Sequence, residues 1–402
     1  MRFRLATKLD VFAIMKMVQK SRLRNPSSTM FGHLQELEEA LNDPTYLWIL
    51  CEIDGMASAV MVLKMDEAQG LCKIQHMFVD QELPSRIEVL RQLLDYTITY
   101  IRGIGTIDVI YTTTLSMPME QQKVTSQQGF KVLGVFPNAL GEDGSKLNGL
   151  TAFYFDDVLE HRRDNGFCLH PMIRPFYDLS AKNCGLQNLG DCDQSRLDKQ
   201  IDQLYQEDPS MVPDLEIIHA ENFVRHKFKA LKEKRSQLVN FYPFYEPNCL
   251  VTDPESNIEV FLRIEKESRF AAIIGEKMSI AINPTQLFIK IQALLRHCDV
   301  SYVEIINDAA DALGTECILR GGFTPCAYFP AFKKQGEQRH DYVIFGRSFE
   351  YLCQPDSQVD EAYFQYFWEY YKVETDRYFP QRPGQGSPIQ TEQNDLSQGR
   401  SK

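Results

Sequence analysis

None of the ten cysteines in this 402-residue chain stands in a Cys-x-x-Cys pair or beside histidine at metal-ligand spacing, so no metal site is expected. Cys184 and Cys192 lie nearest each other in sequence, which is weak ground for a disulfide, and reduced thiols are the default expectation. No apolar run approaches the roughly 20 residues of a membrane span, so no membrane contact is expected. Glycine is missing where phosphate chemistry uses it: there is no Gly-x-Gly-x-x-Gly, no Walker loop and no nucleophile-elbow serine. Basic residues are also short, 43 Lys and Arg against 55 Asp and Glu for a formal charge of −12. That balance excludes general nucleic-acid binding, which needs many cationic contacts to phosphate, and it admits basic partners such as amines. Met1-Arg2-Phe3-Arg4 enters a strand and not a signal-peptide core, so a cytoplasmic location is expected.

What is present is a repeat. Gly129-Phe130 leads to Phe136-Pro137, and Gly322-Phe323 leads to Phe329-Pro330, each through a short apolar run and both at an offset of 193 residues. One architecture used twice is the natural reading of a chain too long for a single core. Hydrophobic residues at 44% suffice to fill two cores.

The first unit reads as a strand over 2–6 and a helix led by Asp10, with Val11, Ile14, Met15 and Val18 on one face. A second amphipathic stretch covers 33–41. Strands over 46–53 and 57–65 flank Asp54-Gly55, a hairpin pair, and a third strand covers 71–79. Ser85-Arg86-Ile87-Glu88 has the form of a capping box. The helix it opens turns Ile87, Leu90, Leu94, Ile98 and Ile101 inward and is expected to end at Gly103. A strand at 108–113, a helix at 119–128 and strands at 129–135 and 150–155 complete the unit.

This order, with Arg4-Leu5-Ala6-Thr7 followed by Asp10 near the start and Gln122-Lys123-Val124 before Gly129-Phe130 near the end, resembles the GNAT family of acetyl-CoA-dependent N-acyltransferases over about residues 1–160. The family's glycine-bearing pyrophosphate loop falls here on the stretch from Val79 to Glu88, which holds no glycine. Side chains at every position keep an anion away from the backbone, Pro84 has no amide hydrogen, and Glu82 adds opposing charge. Ser85 and Arg86 at the helix start favour phosphate; a plain cap and a solvated charge are the equally weighted alternative.

The second copy repeats the pattern with strands over 250–252, 258–264, 269–282, 302–306, 323–329 and 342–345. A helix is opened by Asn283-Pro284, with Leu287, Ile291, Leu294 and Leu295 on one face, and another spans 309–319. The resemblance thus implies an α/β fold of two GNAT-like domains, each a mixed, mostly antiparallel central sheet flanked by helices. The expected organisation is a cofactor-binding domain at 1–160, a linker at 161–215 with a short helix over 195–205, and a degenerate second domain at 216–352. An aromatic helix at 353–380 and a disordered tail at 381–402 follow. The stretch from His170 to Tyr177 looks extended and pinned by prolines. The basic run from Lys227 to Arg235 reads as the outer face of a helix with Phe223, Phe228, Leu231 and Leu238 inward. The aromatics between Tyr363 and Tyr371 read as packing against a domain or a homodimer partner.

By the resemblance, the activity is direct transfer of an acetyl or other acyl group from acetyl-CoA, or another acyl-CoA, to an amine-bearing small molecule or peptide. The co-substrate would be held by Phe78, Val79, Ser85, Arg86 and Ile87, with no metal. A tyrosine commonly precedes the Gly-Phe pair by four in the family; Thr125 and Ile318 stand there instead, leaving Tyr111 or Ser126 as substitute acids. His76 is the candidate base, against the commoner reading of a strand histidine as structural. The competing class is a non-catalytic GNAT-like protein that binds a CoA ester or a protein partner.

Overall fold

Asp54 and Gly55 both take positive φ, 52° and 78°, the conformation that lets a two-residue loop match strand twist. The hairpin they close pairs Ile53 with Met56. The computed structural model describes residues 1–19, 30–115, 119–139, 147–206, 212–233, 239–353 and 359–378. Leu238 and the predicted tail at 381–402 lie outside the described residues.

The first half contains strands β1 (Arg2–Leu5), β2 (Tyr46–Ile53), β3 (Met56–Asp66), β4 (Leu71–Val79), β5 (Val109–Leu115), β6 (Lys131–Pro137) and β7 (Leu147–Tyr154). The second half contains β8 (Glu216–Ile218), β9 (Val239–Asn240), β10 (Cys249–Thr252), β11 (Ile258–Glu265), β12 (Phe270–Met278), β13 (Tyr302–Asp308), β14 (Thr324–Gln335) and β15 (Gln338–Ser348). The helices are α1 (Val11–Gln19), α2 (Leu34–Asn42), α3 (Arg86–Ile104), α4 (Met119–Gln127), α5 (Arg174–Cys184), α6 (Gln194–Gln206), α7 (Glu221–Glu233), α8 (Pro284–His297), α9 (Ala312–Arg320) and α10 (Glu361–Tyr378).

All strands join one sheet in the order β1-β2-β3-β4-β5-β7-β6-β14-β15-β13-β12-β11-β10-β8, with β9 set against β12. Read inward from either end, the two halves have the same order, and each has one parallel pair, β4 with β5 and β12 with β13. Both halves are therefore GNAT-like α/β units. They meet where Gly134 pairs antiparallel with Ala327, residues that share the 193-residue offset of the repeat, so each half meets the other through the same position. A side chain on Gly134 is impossible there: an added Cβ would lie 2.1 Å from the Ala327 Cβ and 2.4 Å from its Cα.

Two buried ion pairs tie distant parts of the chain together. Arg339, fully buried, donates to Asp108 Oδ2 at 2.8 Å, to the Gln69 carbonyl and to the carbonyls of Ala331 and Phe332. Arg163 and Asp341 form a second buried pair at 2.5 Å, and Tyr328 Oη donates to the same carboxylate. Helix α10 packs within the chain, as one of the two predicted alternatives had it. Its Tyr366 Oη donates to the Val132 carbonyl of β6, and Arg377 donates to the carbonyls of Gly322 and Phe323.

Several local expectations are corrected. Ser85 makes no capping bond, and Glu88 bonds to Arg91 and Gln92 on the exposed face in place of closing the box. Helix α3 runs past Gly103 and ends at Gly105, whose φ of 75° supplies the left-handed cap. The proline-bearing segment after His170 is helical, since Pro171 and Pro175 sit in first turns, where a missing amide hydrogen costs nothing. Phe223 is 51% exposed; α7 buries Phe228 as expected, with Val224 in place of Phe223. The cysteine pairing is Cys168 with Cys192, not Cys184, and it departs from the all-reduced expectation. Leu169 brings the pair together by donating to Gly190 and accepting from Cys192, while the Cys184 thiol stays separate, pushed up to about 12 by burial. Near the start, Asp10 accepts from the Thr7 amide rather than capping α1 itself, and the Arg4 guanidinium holds its carboxyl down to about 2.

Candidate functional site

In each half, the parallel strands part from each other after a short run of pairing. β4 and β5 pair from Leu71 with Val109 to Lys73 with Tyr111 and then diverge. β12 and β13 pair from Phe270 with Tyr302 to Ile273 with Ile305 and then diverge. A bulge sits at each fork: Val62 pairs with His76 and Leu63 with Ile74, leaving Gln75 extra, and Ile274 is extra in the same way between Ile273 and Gly275. An extra residue bends the strand and re-aims its side chains. Here it helps to open the fork.

The two forks differ in what lies against them. In the second half, β9 pairs with Gly275 and Glu276 while β11 holds their other edge, so the chain's own segment occupies the gap between β12 and β13. In the first half, no strand pairs with the matching edge of β4 beyond Lys73 among the described residues. A cleft of about 350 Å³ remains on the α8 and α9 side of the second fork, bordered by Glu276, Asn307 and Asp311. Burial, and then Asp311, push the Glu276 carboxyl up, and a cleft bordered by these carboxyls is unsuited to a phosphate-bearing ligand.

On the sheet face covered by α1, α2 and α7, both forks open on one cavity of about 450 Å³ lined by both halves. The first half contributes Lys64, Lys73, Gln75, Tyr111 and Thr113, and the second Tyr242, Tyr245, Arg263, Glu265 and Glu304. Lys73 and Glu304 are each 8% exposed. Tyr242 Oη donates to Glu304 Oε2 at 2.5 Å, and the Lys73 ammonium lies 5.3 Å from the Tyr245 ring centre. Burial pushes the Glu304 carboxyl up to about 7, against the smaller opposing pull of the Tyr242 hydrogen bond and of Lys73. Such a group changes protonation near neutrality, as a proton acceptor in a site must.

The predicted site residues are dispersed. Tyr111 lines the cavity, ringed edge-on by Phe329 and Phe332, and its burial raises its pKa well above the usual value. Ser126 is exposed on α4, whose neighbouring Val124 packs in the α3 core on the other sheet face, so Ser126 and Tyr111 do not meet. His76 is partly buried between Phe31 and Phe78. Desolvation, aided by Lys73, lowers it to about 4 and keeps the ring neutral at neutral pH. Phe78 and Val79 are buried on opposite faces of β4. Ser85 and Ile87 are exposed and Arg86 is half-buried at the start of α3.

The loop before α3 satisfies much of its own backbone. Asp80 N donates to Ser58, Leu83 N to the Asp80 carbonyl, Arg86 N to Leu83, and Glu82 N to the Asp80 carboxylate. The amides of 80, 82, 83 and 86 are thus taken within the chain and are not offered to an anion at this helix start. Glu304, Lys73 and Tyr242 were not anticipated from sequence. One signal pointed to the first: Glu304 stands 193 residues after Tyr111, the offset of the repeat.

Among the described residues, no group of three or more His, Cys, Asp or Glu side chains could hold a metal ion, and no helix is long and apolar enough to cross a membrane. The sequence matches no protein-family model and no curated protein. Among solved structures, the aminoglycoside 6'-acetyltransferase type Ii is similar over 38% of this chain and 97% of its own, at 17% identity and a TM-score of 0.32. The ribosomal-protein-S18-alanine N-acetyltransferase from Escherichia coli is similar over 40% and 97%, at 14% identity and a TM-score of 0.34. An acetyltransferase of the GNAT family from Streptococcus pneumoniae is similar over 38% and 99%, at 13% identity and a TM-score of 0.34.

Proposed function

We propose that the protein is a GNAT-type N-acyltransferase, moving an acyl group, acetyl in the simplest case, from coenzyme A to an amine held in the central cavity. The observation that carries this reading is the β4–β5 fork opening onto a polar cavity that contains a carboxyl titrating near neutrality. An extended thioester arm can add to the outer edge of β4 as a strand adds to a sheet. The second fork offers no such edge, because β9 lies there, so the co-substrate belongs to the first half. Val79 would line its apolar path, with Phe78 supporting the strand from the other face. Arg86, with Ser85 and Ile87 at the start of α3, would face its phosphates. The coenzyme supplies the activated acyl group; the chain orients the amine, excludes water and takes its proton.

Thermal-shift titration tests the co-substrate. Acetyl-CoA at millimolar concentration raises the melting temperature by mass action. Arg86→Glu weakens that binding by about 1–3 kcal/mol, the scale of a charge-assisted hydrogen bond. Absence of any shift with acetyl-CoA, longer acyl-CoAs and free CoA overturns the assignment. The second reading, a non-catalytic protein that holds a CoA ester or a protein partner, is favoured by the self-satisfied loop over 80–86. Thioester turnover with a panel of amines separates the two readings.

A further inference from the structure

We propose that the cleft between β12, β13, α8 and α9 is a second ligand site, for a small amphiphilic primary amine whose ammonium meets the Glu276 carboxylate and whose alkyl or aryl body fills the apolar bed. The site is distinct from the central cavity and does not rest on the acyltransferase reading.

Glu276 reaches this cleft because of the β12 bulge. Side chains alternate along a strand, so Ile273 and residue 276 would face opposite ways; the extra Ile274 shifts the alternation by one and brings them to the same face. The register agrees, since Ile273 pairs with Leu262 and Glu276 with Val260, and Leu262, Val260 and Ile273 belong to the core that also takes in α8 and α9. Ile273, Phe288, Ile305, Leu313 and Ile318 line the cleft as an apolar bed. Phe241, next after β9, lines it as well and packs on Phe332 and Tyr342. A volume of about 350 Å³ falls within the range of small-molecule sites.

The charges that border the cleft are negative. Glu276 and Asp311 line it, with no lysine, arginine or histidine among the described lining residues. Asp311 is committed to the start of α9, where its Oδ1 accepts from the Gly314 amide at 2.9 Å. The cations of the surroundings are engaged elsewhere: Arg320 bonds Glu316 at 2.6 Å, His340 lies 3.6 Å from Asp164, and Lys333 lies over the Phe241 ring and acts on Asp308. The partly buried Glu276 carboxylate has neither a hydrogen bond nor an ion pair among the described residues. Burial, and then Asp311, push it up, and no cation opposes them. A bound ammonium answers both effects, because it pairs a charge that borders apolar side chains and outweighs the Asp311 repulsion. Asn307 adds a further acceptor. Its Nδ2 donates to the Asp311 carbonyl and to Thr315 Oγ1, each at 3.2 Å, and its Oδ1 remains for one of the ammonium hydrogens.

Calorimetric titration of the full chain with phenethylamine and n-hexylamine, each beside the alcohol of the same carbon skeleton, tests the site. At least one amine binds at millimolar concentration or better, and its alcohol binds about tenfold more weakly or worse. Glu276→Gln brings that amine down to the level of the alcohol. Asp311→Asn, which keeps a capping side chain on α9, weakens the amine by a smaller factor and leaves the alcohol unchanged. Because the proposed function also places an amine in the central cavity, Glu304→Gln is the control, and the preference for amine over alcohol survives it. Failure of both amines to bind, equal binding of amine and alcohol to the wild type, or a Glu276→Gln protein that keeps the preference overturns the inference. Loss of the preference in Glu304→Gln overturns it as well, since the amine is then held in the central cavity. The acetyl-CoA melting shift is read separately and tests the acyltransferase reading alone.

Discussion

His76 and Glu304 show how burial decides what a titratable residue can do. Both lie on strands beside the cavity region, yet desolvation drives the imidazole down to about 4 and the carboxyl up to about 7. The imidazole is therefore a poor proton acceptor at neutral pH and the carboxyl a good one. Because the folded state resists protonating His76, its stabilising contribution is full above the unfolded value near 6.5 and is lost as pH falls toward 4. His76→Phe should therefore remove about 1–2 kcal/mol of acid sensitivity in that window, less than the full shift implies because the ring is only partly buried. Denaturant melts at pH 7 and pH 4.5 measure it; equal acid sensitivity in both proteins refutes it. Glu304 has the opposite sign: its contribution is full below about 4.5 and is lost as pH rises through about 7.

At the scale of elements, the junction of β6 with β14 depends on one glycine. The Ala327 backbone and the Cys326 carbonyl both lie within 2.5 Å of where a Gly134 side chain would start, so relief needs the strands to separate. Gly134→Val should destabilise the protein by more than about 4 kcal/mol, the range reserved for overpacking without escape. Ala327→Gly should not rescue it, since the backbone clash remains. Melting of the single and double variants decides the matter, and a rescued double variant would show that the side chain alone was the obstacle. By contrast, the helix signals in the second half work locally. Asn283 accepts from the Gln286 amide with Pro284 at the first helical position, as its sequence predicts.

At the scale of the molecule, the two halves share a sheet, a cavity and a buried ionic layer. Cutting after residue 160 exposes the β6 edge and removes Arg339 from Asp108 and α10 from Val132. The isolated 1–160 fragment should associate or precipitate, as an uncovered strand edge with apolar surface does; a monomeric fragment with a cooperative melt would show a separable module. In the intact chain, Arg339→Met should cost about 3–5 kcal/mol, the penalty for breaking a buried pair from one side. A loss under about 1 kcal/mol by chemical denaturation would place that layer outside the stabilising contacts.

The order of strands and helices was legible in the sequence because it depends on local chemistry. Periodicity marked the faces of α3 and α8, Asp54-Gly55 marked a hairpin, and the repeated Gly-Phe to Phe-Pro runs marked two copies of one unit. Gly129 and Gly322 indeed take the same left-handed conformation, with φ of 89° and 93°. The prolines after His170 misled, since the same residue that breaks a helix interior is welcome in its first turn. What only the tertiary structure decided is everything that joins residues far apart in the chain. Cys168 meets Cys192 through the Leu169 backbone, β9 closes one fork and not the other, and Lys73 and Glu304 reach one cavity. Nothing local distinguishes Glu304 from any other strand glutamate. Its proton affinity comes from the water that folding removes around it.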